Sequence, residues 1–273
     1  MPLCESLVAN VPAVSDYQTL SFDQAGPIAR IVLKRPEAAN GMNDVMTAEL
    51  AHAAARCDVA EIKAVVLTGA GRFFCAGGDL KAMAASPLGP GRFVKGIADD
   101  LHRAISTLAR MDAVLITAVN GVAAGAGFSL AVAGDLVLAA DSASFTMAYT
   151  KAGLSPDGSS SYFLPRIIGV RRTQELMLTN RTLTAAEAAD WGLVTEVVPA
   201  DDLAARAQVL AEQIASAAKG SGAAVKKLML TTFSSGLEEQ MELEGRLIAA
   251  CADSVDGREG IDAFLNKRAP EFG

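Results

Sequence analysis

The sequence has no basic excess, no cysteine framework, no long apolar run and only two histidines, and each shortage removes a class of function. Thirty-one acidic residues stand against 24 basic ones, for a net charge of −7 with no basic stripe, so a sequence-independent nucleic-acid surface is not expected. Cys4, Cys57, Cys75 and Cys251 are scattered, without CxxC spacing or the density of a disulfide scaffold, which fits a reducing cytoplasm. No stretch offers the roughly twenty uninterrupted apolar residues of a membrane span. Residues 1–16 lack the basic start and apolar run of a signal peptide and read as a loose tail. His52 and His102 have no Cys, Asp or Glu at ligand spacing, so both read as surface or interface histidines and no metal is expected. GxGxxG, Walker A, GxSxG and HExxH are absent, which weakens the dinucleotide, NTPase, hydrolase and zincin readings and disfavours a nicotinamide-dependent dehydrogenase.

What remains is a 273-residue chain, half of it hydrophobic, enough for one sizeable core with a helical appendage. Tyr17–Phe22 and Ile28–Leu33 read as a hairpin around Ala25-Gly26-Pro27, and a helix follows with Asn43 as its N-cap. Strands are expected at Lys63–Thr68, Ala113–Val119 and Leu136–Ala139. Between the first two, Ala84–Gly91 is a turn-rich break, and helical spacing runs from Phe93 to Leu108. Thr184-Ala-Ala-Glu187 has the capping-box pattern ahead of a strand at Val194–Val198. Past Pro199 the chain reads as helices only, over 201–218, 223–233, 236–253 and 258–267. Alternating strands and helices predict α/β layers: a tail at 1–16, a core at 17–200 and a helical segment at 201–273.

Two glycine-rich turns each follow a strand: Gly69 to Asp79 (GAGRFFCAGGD) and Asn120 to Ser129 (NGVAAGAGFS). Their small residues let a ligand approach the backbone, although one such turn alone is more often a tight connection. In combination, FFCAGGDLKAM (73–83) and AVNGVAAGAGFSLAVAGDLVLAA (118–140) closely resemble the two oxyanion-hole segments of the crotonase (enoyl-CoA hydratase/isomerase) family. The resemblance includes IVLKRPEAANGMN (31–43), AGLSPDGSSSYFLPRIIG (152–169), LTAAEAADWGLVTEVVP (183–199) and EGIDAFLNKRAPEF (259–272), in the family's order.

That resemblance implies a spiral of ββα units followed by helices that support a trimer or a dimer of trimers, and an acyl-CoA thioester as substrate, with coenzyme A entering as part of it and no separate cofactor. It matches the backbone N–H groups of Gly78 and Ala126 to the two donors that stabilise a thioester enolate, each of which typically contributes about 10²–10³ in rate. The segment around Ala38 and the backbone near Ala76 match adenine-holding positions, and Gly77 joins the residues expected to bind the CoA thioester. Asp79 and Leu80 continue the pocket wall, and Phe264 and Lys267 match terminal-helix positions that reach CoA, commonly across a subunit boundary. Asp135 and Asp141 match structural positions.

The family's hydratases use two glutamates, and here those positions read Ser129 and Tyr149. Neither is a carboxylate, which places ordinary two-glutamate hydration in question. Ser129 is expected to leave room in the pocket, and Tyr149 to shape the acyl tunnel or to hydrogen-bond a base. The Ser155-Pro-Asp157 turn resembles that of Δ3,Δ2-enoyl-CoA isomerases and of isomerases acting on ring epoxides of phenylacetyl-CoA, where this acid shuttles a proton. Asp157 is equally suited to capping a helix through Leu164. The leading expectation is an enoyl-CoA isomerase with Asp157 as shuttle; a hydratase and a non-catalytic acyl-CoA binder are the alternatives.

Overall fold

The computed structural model describes residues 17–273, so the expected tail at 1–16 and Cys4 lie outside the described residues. The chain opens with the hairpin β1 (Leu20–Ala25) and β2 (Ile28–Leu33), whose strands pair antiparallel through the Gly26-Pro27 turn. β1 starts three residues later than the sequence predicts. In β2 the burial alternates, so Ala29, Ile31 and Leu33 face inward as period-two geometry requires.

Helix α1 (Asp44–Cys57) begins where Asn43 caps it, the Asn43 side chain accepting the Met46 N–H. Then the chain winds. β3 (Ala64–Gly69), β5 (Val114–Val119), β7 (Leu136–Ala140) and β10 (Glu196–Val198) join β1 and β2 in one six-stranded sheet, ordered β1-β2-β3-β5-β7-β10. After each of the first three of these, a short strand leaves for a second sheet: β4 (Phe73–Cys75), β6 (Val122–Ala124) and β8 (Ser144–Thr146), with β9 (Leu183–Thr184) at its edge. Helices close the turns: α2 (Leu80–Ala85) and α3 (Pro90–Arg110) after β4, α4 (Ala126–Ala131) after β6, and α5 (Ser160–Thr179) after β8. This is the expected spiral of ββα units. The second sheet is absent from the sequence reading because strands of two or three residues show no resolvable period.

Phe74, Phe128 and Phe145 are fully buried, with the Phe128 and Phe145 rings 5.4 Å apart. β3 is apolar on both faces over Ala64–Leu67, as suits a strand covered on both sides. The capping box forms: Thr184 accepts the Glu187 N–H and Glu187 the Thr184 N–H, starting α6 (Ala185–Asp190).

Four helices follow: α7 (Leu203–Ala215), α8 (Lys219–Thr231), α9 (Leu237–Asp253) and α10 (Val255–Leu265). α7 packs across β3, β5 and β7, whereas α9 buries no residue within the chain. α8 is fastened by two lysines: Lys219 at its start donates to the carbonyls of Val59 (2.7 Å) and Ala60 (3.0 Å), and Lys226 makes the buried tie. Lys226 Nζ donates to the carbonyls of Leu108 (3.0 Å) and Ala113 (2.6 Å) and pairs with Asp135 at 2.8 Å, while Asp135 also accepts the Leu115 N–H at 2.7 Å. Asp135 is thus structural, as the resemblance implied.

A single Lys226→Met change is expected to lower the unfolding free energy by about 3 kcal/mol, since it strands the Asp135 carboxylate and two carbonyls. Adding Asp135→Asn should recover part of that loss, which a double-mutant cycle of chemical denaturation midpoints would measure.

Candidate active site

The two glycine-rich turns meet where the sheets converge. Gly77 has φ +94°, and a Cβ on it would lie 2.8 Å from the Ala124 carbonyl oxygen and 3.3 Å from the Ala126 nitrogen. Only glycine allows that approach. Gly125, at φ +52° and ψ −125°, turns the chain into α4 while its own N–H is held by the Thr146 carbonyl at 3.0 Å. Met42 bridges the first turn, donating to the Gly77 carbonyl and accepting from Asp79 N–H, both at 2.8 Å. These bonds leave the N–H groups of Gly78 and Ala126 without an acceptor among the described residues, and both residues line one cavity of about 200 Å³.

Three side chains sequence reasoning did not single out hold the first turn. Buried Asn40 donates to the carbonyls of Ala70, Phe73 and Phe74 and accepts the Arg35 N–H. The Cys75 thiol donates to the Asn40 carbonyl at 3.0 Å and accepts the Gly77 N–H at 3.4 Å. Arg35 pairs with Asp79 at 3.0 Å and also donates to the Gly41 carbonyl. Their signal was the KRPEAANG and FFCAGGD runs themselves, which contain these residues but do not show which atoms they bind.

Asp79 caps α2, accepting Lys81 and Ala82 N–H groups at 3.1 Å each. Burial alone would raise its carboxyl, but the Ala82 N–H and Arg35 outweigh that and hold it below the ordinary value. Leu80, Ala76 and Gly77 line the cavity; Ala38 does not, although its carbonyl accepts the Gly41 N–H at 2.8 Å. Phe264 lines a separate apolar hollow with Ile261 and Phe272, and neither it nor Lys267 borders the cavity of its own chain.

Asp157 lines the same cavity as the free N–H groups. Tyr149 OH donates to Asp157 Oδ1 at 2.6 Å, and Ser129 Oγ donates to the Asp157 backbone carbonyl at 2.8 Å, with 3.1 Å between the two hydroxyls. Each hydroxyl owns one proton, and both are directed at Asp157. Burial first, and then the neighbouring carboxylate, push the Tyr149 phenol above its ordinary value, so it remains a donor.

Three expectations change here. Asp157 is not the helix cap: α5 starts after Ser159, no side chain caps it, and the Asp157 carboxylate is turned to Tyr149 instead. Ser129 is fully buried and bonded rather than merely small. His102 is not a plain surface histidine, because its Nε2 accepts the Gly158 N–H at 3.1 Å and lies 3.8 Å from Asp157 Oδ2. No local pattern could reveal that contact, made across 56 residues of chain. His52 hydrogen-bonds Tyr17 OH at 2.7 Å, away from the cavity.

Known proteins carry the same arrangement of elements. Residues 23–273 match the family model described as enoyl-CoA hydratase/isomerase. The 1,2-epoxyphenylacetyl-CoA isomerase of Escherichia coli is 40% identical over 250 residues, 90% of this chain and 94% of that one. A protein of Rhodobacter capsulatus named "Probable enoyl-CoA hydratase" is also 40% identical, over 94% of this chain and 98% of its own. Among solved structures, an enoyl-CoA hydratase from Polaromonas is 34% identical with a TM-score of 0.88, covering 93% of this chain and 99% of that one.

Burial pushes the thiols of both Cys75 and Cys57 up to about 12, so at pH 8 only about one in 10⁴ of either is thiolate. In the native protein at pH 8, Ellman's reagent is expected to leave both unlabelled, and to label both in guanidinium. Rapid native labelling of Cys75, read by peptide mass, would mean the first turn opens far more than this geometry allows.

Proposed function

The chain belongs to the enoyl-CoA hydratase/isomerase family, and from that membership we propose that it is an acyl-CoA isomerase in which Asp157 shuttles a proton. The observation that carries the reading is the state of Asp157: it lines the same cavity as Gly78 and Ala126, one carboxylate oxygen accepts from Tyr149, and the other accepts no hydrogen bond among the described residues, with His102 Nε2 3.8 Å away. The glutamate positions of the family's hydratases hold Ser129 and Tyr149, and both hydroxyls are engaged in holding Asp157.

On a 3-enoyl-CoA the chemistry runs as a 1,3-proton shift. Asp157 Oδ2 takes a proton from Cα, the Cα–H electron pair moves toward the thioester carbonyl, and the resulting oxyanion is met by the N–H groups of Gly78 and Ala126. The protonated Asp157 then returns the proton to Cγ, leaving the double bond conjugated with the thioester. One base and its conjugate acid suffice, so no second carboxylate is required. The relative from Escherichia coli supports isomerisation, including that of ring epoxides, while relatives named as hydratases keep water addition as the competing outcome. Coenzyme A enters with the substrate, and Ala38, Ala76, Gly77 and Leu80 are assigned to its binding together with Phe264 and Lys267 of a neighbouring subunit. Assembly as a homotrimer or a dimer of trimers follows from the same reading: α9 buries nothing in its own chain, and Leu237, Met241 and Ile248 stand exposed along it.

Light scattering at micromolar concentration is expected to give the mass of three or six chains; a monomer would remove the neighbour that Phe264 and Lys267 require. Asp157→Asn is expected to slow conversion of 3-enoyl-CoA to 2-enoyl-CoA by about 10²–10⁴ with acyl-CoA affinity little changed. The products are to be identified by mass and NMR across 2-enoyl-, 3-enoyl- and ring-epoxide-CoA thioesters. Near-full turnover in Asp157→Asn, with loss in Tyr149→Phe, would move the shuttle to Tyr149; net hydration of 2-enoyl-CoA as the main reaction would replace the isomerase reading.

A further inference from the structure

The peptide unit joining Asp157 to Gly158 is gripped at both poles. Its carbonyl accepts Ser129 Oγ at 2.8 Å, Ser160 Oγ at 2.9 Å and Ser160 N–H at 3.3 Å. Its N–H has one acceptor, His102 Nε2, at 3.1 Å. Behind this peptide the backbone is unusual, with Gly158 at φ +61° and Ser159 at φ +67°, consecutive left-handed residues whose alternative conformations are close in energy for glycine and better for serine. A Cβ on Gly158 would sit 2.8 Å from Ser129 Cβ, so the peptide also lies hard against α4.

His102 stands at the junction of two spaces. Asp157 borders the 200 Å³ cavity, whereas His102 lines a larger one of about 1010 Å³ among α3, α5, α8 and α9, and half of its side chain is exposed there. Solvent protons therefore reach the imidazole through the outer cavity, which neither Gly78 nor Ala126 lines.

We infer that His102 is a positioning residue, which must be neutral, with its proton on Nδ1, to hold the Asp157–Gly158 peptide and leave Asp157 Oδ2 free. An N–H cannot be accepted by a nitrogen that carries its own proton. Protonation of Nε2 therefore breaks the bond to Gly158 and presents a cationic donor to Asp157 Oδ2, 3.8 Å away. Both effects act against proton abstraction, and histidine is the side chain that ordinarily changes charge between pH 5 and 8. The charged groups around it are accounted for. On α3, Asp99 is paired with Lys95 and Arg103 with Asp100; in the outer cavity stand Arg110 and Asp112 of the α3 end, Tyr162 of α5, and Lys226 and Lys227 of α8, with Lys226 paired to Asp135. Asp99 also interacts with the imidazole electrostatically, and Asp157 is the acid within 4 Å of it among the described residues.

The inference rests on Asp157 as the proton shuttle, and two readouts separate its failure from the failure of that reading. With the fastest substrate of the enoyl-CoA panel, wild-type kcat is expected to fall as the pH is lowered and His102 takes up a proton. His102→Leu should lower kcat at pH 8 about tenfold with KM little changed, the loss of one hydrogen bond to a site backbone. His102→Gln, whose Oε1 can accept the Gly158 N–H but does not titrate, should restore the turnover lost in the leucine variant and lack the acid limb. Independently of any substrate, the Gly158 amide resonance should titrate with the same midpoint as the His102 ring proton. A Gly158 amide that ignores His102 titration, full kcat in His102→Leu, or an acid limb that persists unchanged in His102→Gln would each overturn the inference.

Discussion

Backbone packs directly on backbone where the two turns meet, and the site depends on that contact. A Cβ on Gly127 would fall 2.1 Å from the Cys75 carbonyl oxygen, and one on Gly77 would fall 2.8 Å from that of Ala124. With no side chains between them, the ends of β4 and β6 bring Gly78 and Ala126 to one cavity wall. Two N–H groups left without acceptors are unfavourable, by roughly 1–3 kcal/mol each where water is excluded. The turn tolerates this because its remaining polar groups are bonded many times over, by Asn40, Cys75, Met42 and Thr146.

The lining around Asp157 solves a different problem, which is how to keep one carboxylate oriented yet unspent. Ser129 and Tyr149 supply two protons and no charge, so Asp157 is held by donors on one oxygen and on its own backbone. Carboxylates at those two positions would repel Asp157 at this range and compete for its proton. Two hydroxyls and one carboxylate thus form a single electrostatic arrangement, with the charge on Asp157 alone.

Much of the fold was legible in the residues. Asn43 capped its helix, Thr184 and Glu187 closed their capping box, and the apolar runs of the large sheet became β3, β5 and β7 within a residue or two of each end. Those signals are local: a cap or a buried run is written in consecutive residues. The second sheet escaped, since β4, β6 and β8 hold three residues each and exist through partners some 20 to 50 residues away.

The sequence by itself determined which chemistry was available: two glycine-rich turns able to expose N–H groups, hydroxyls where the related hydratases carry glutamates, and one carboxylate at Ser155-Pro-Asp157. It left open whether that carboxylate capped a helix or served a reaction, and it read His102 as a surface or interface residue without showing what the imidazole binds. Only the tertiary structure showed the surroundings of that carboxylate, with Tyr149 at 2.6 Å and His102 at 3.8 Å from it. A side chain's residue type fixes what it can donate or accept, but its partner is whatever the fold sets within 3 Å, and the spiral brings together groups that are far apart along the chain.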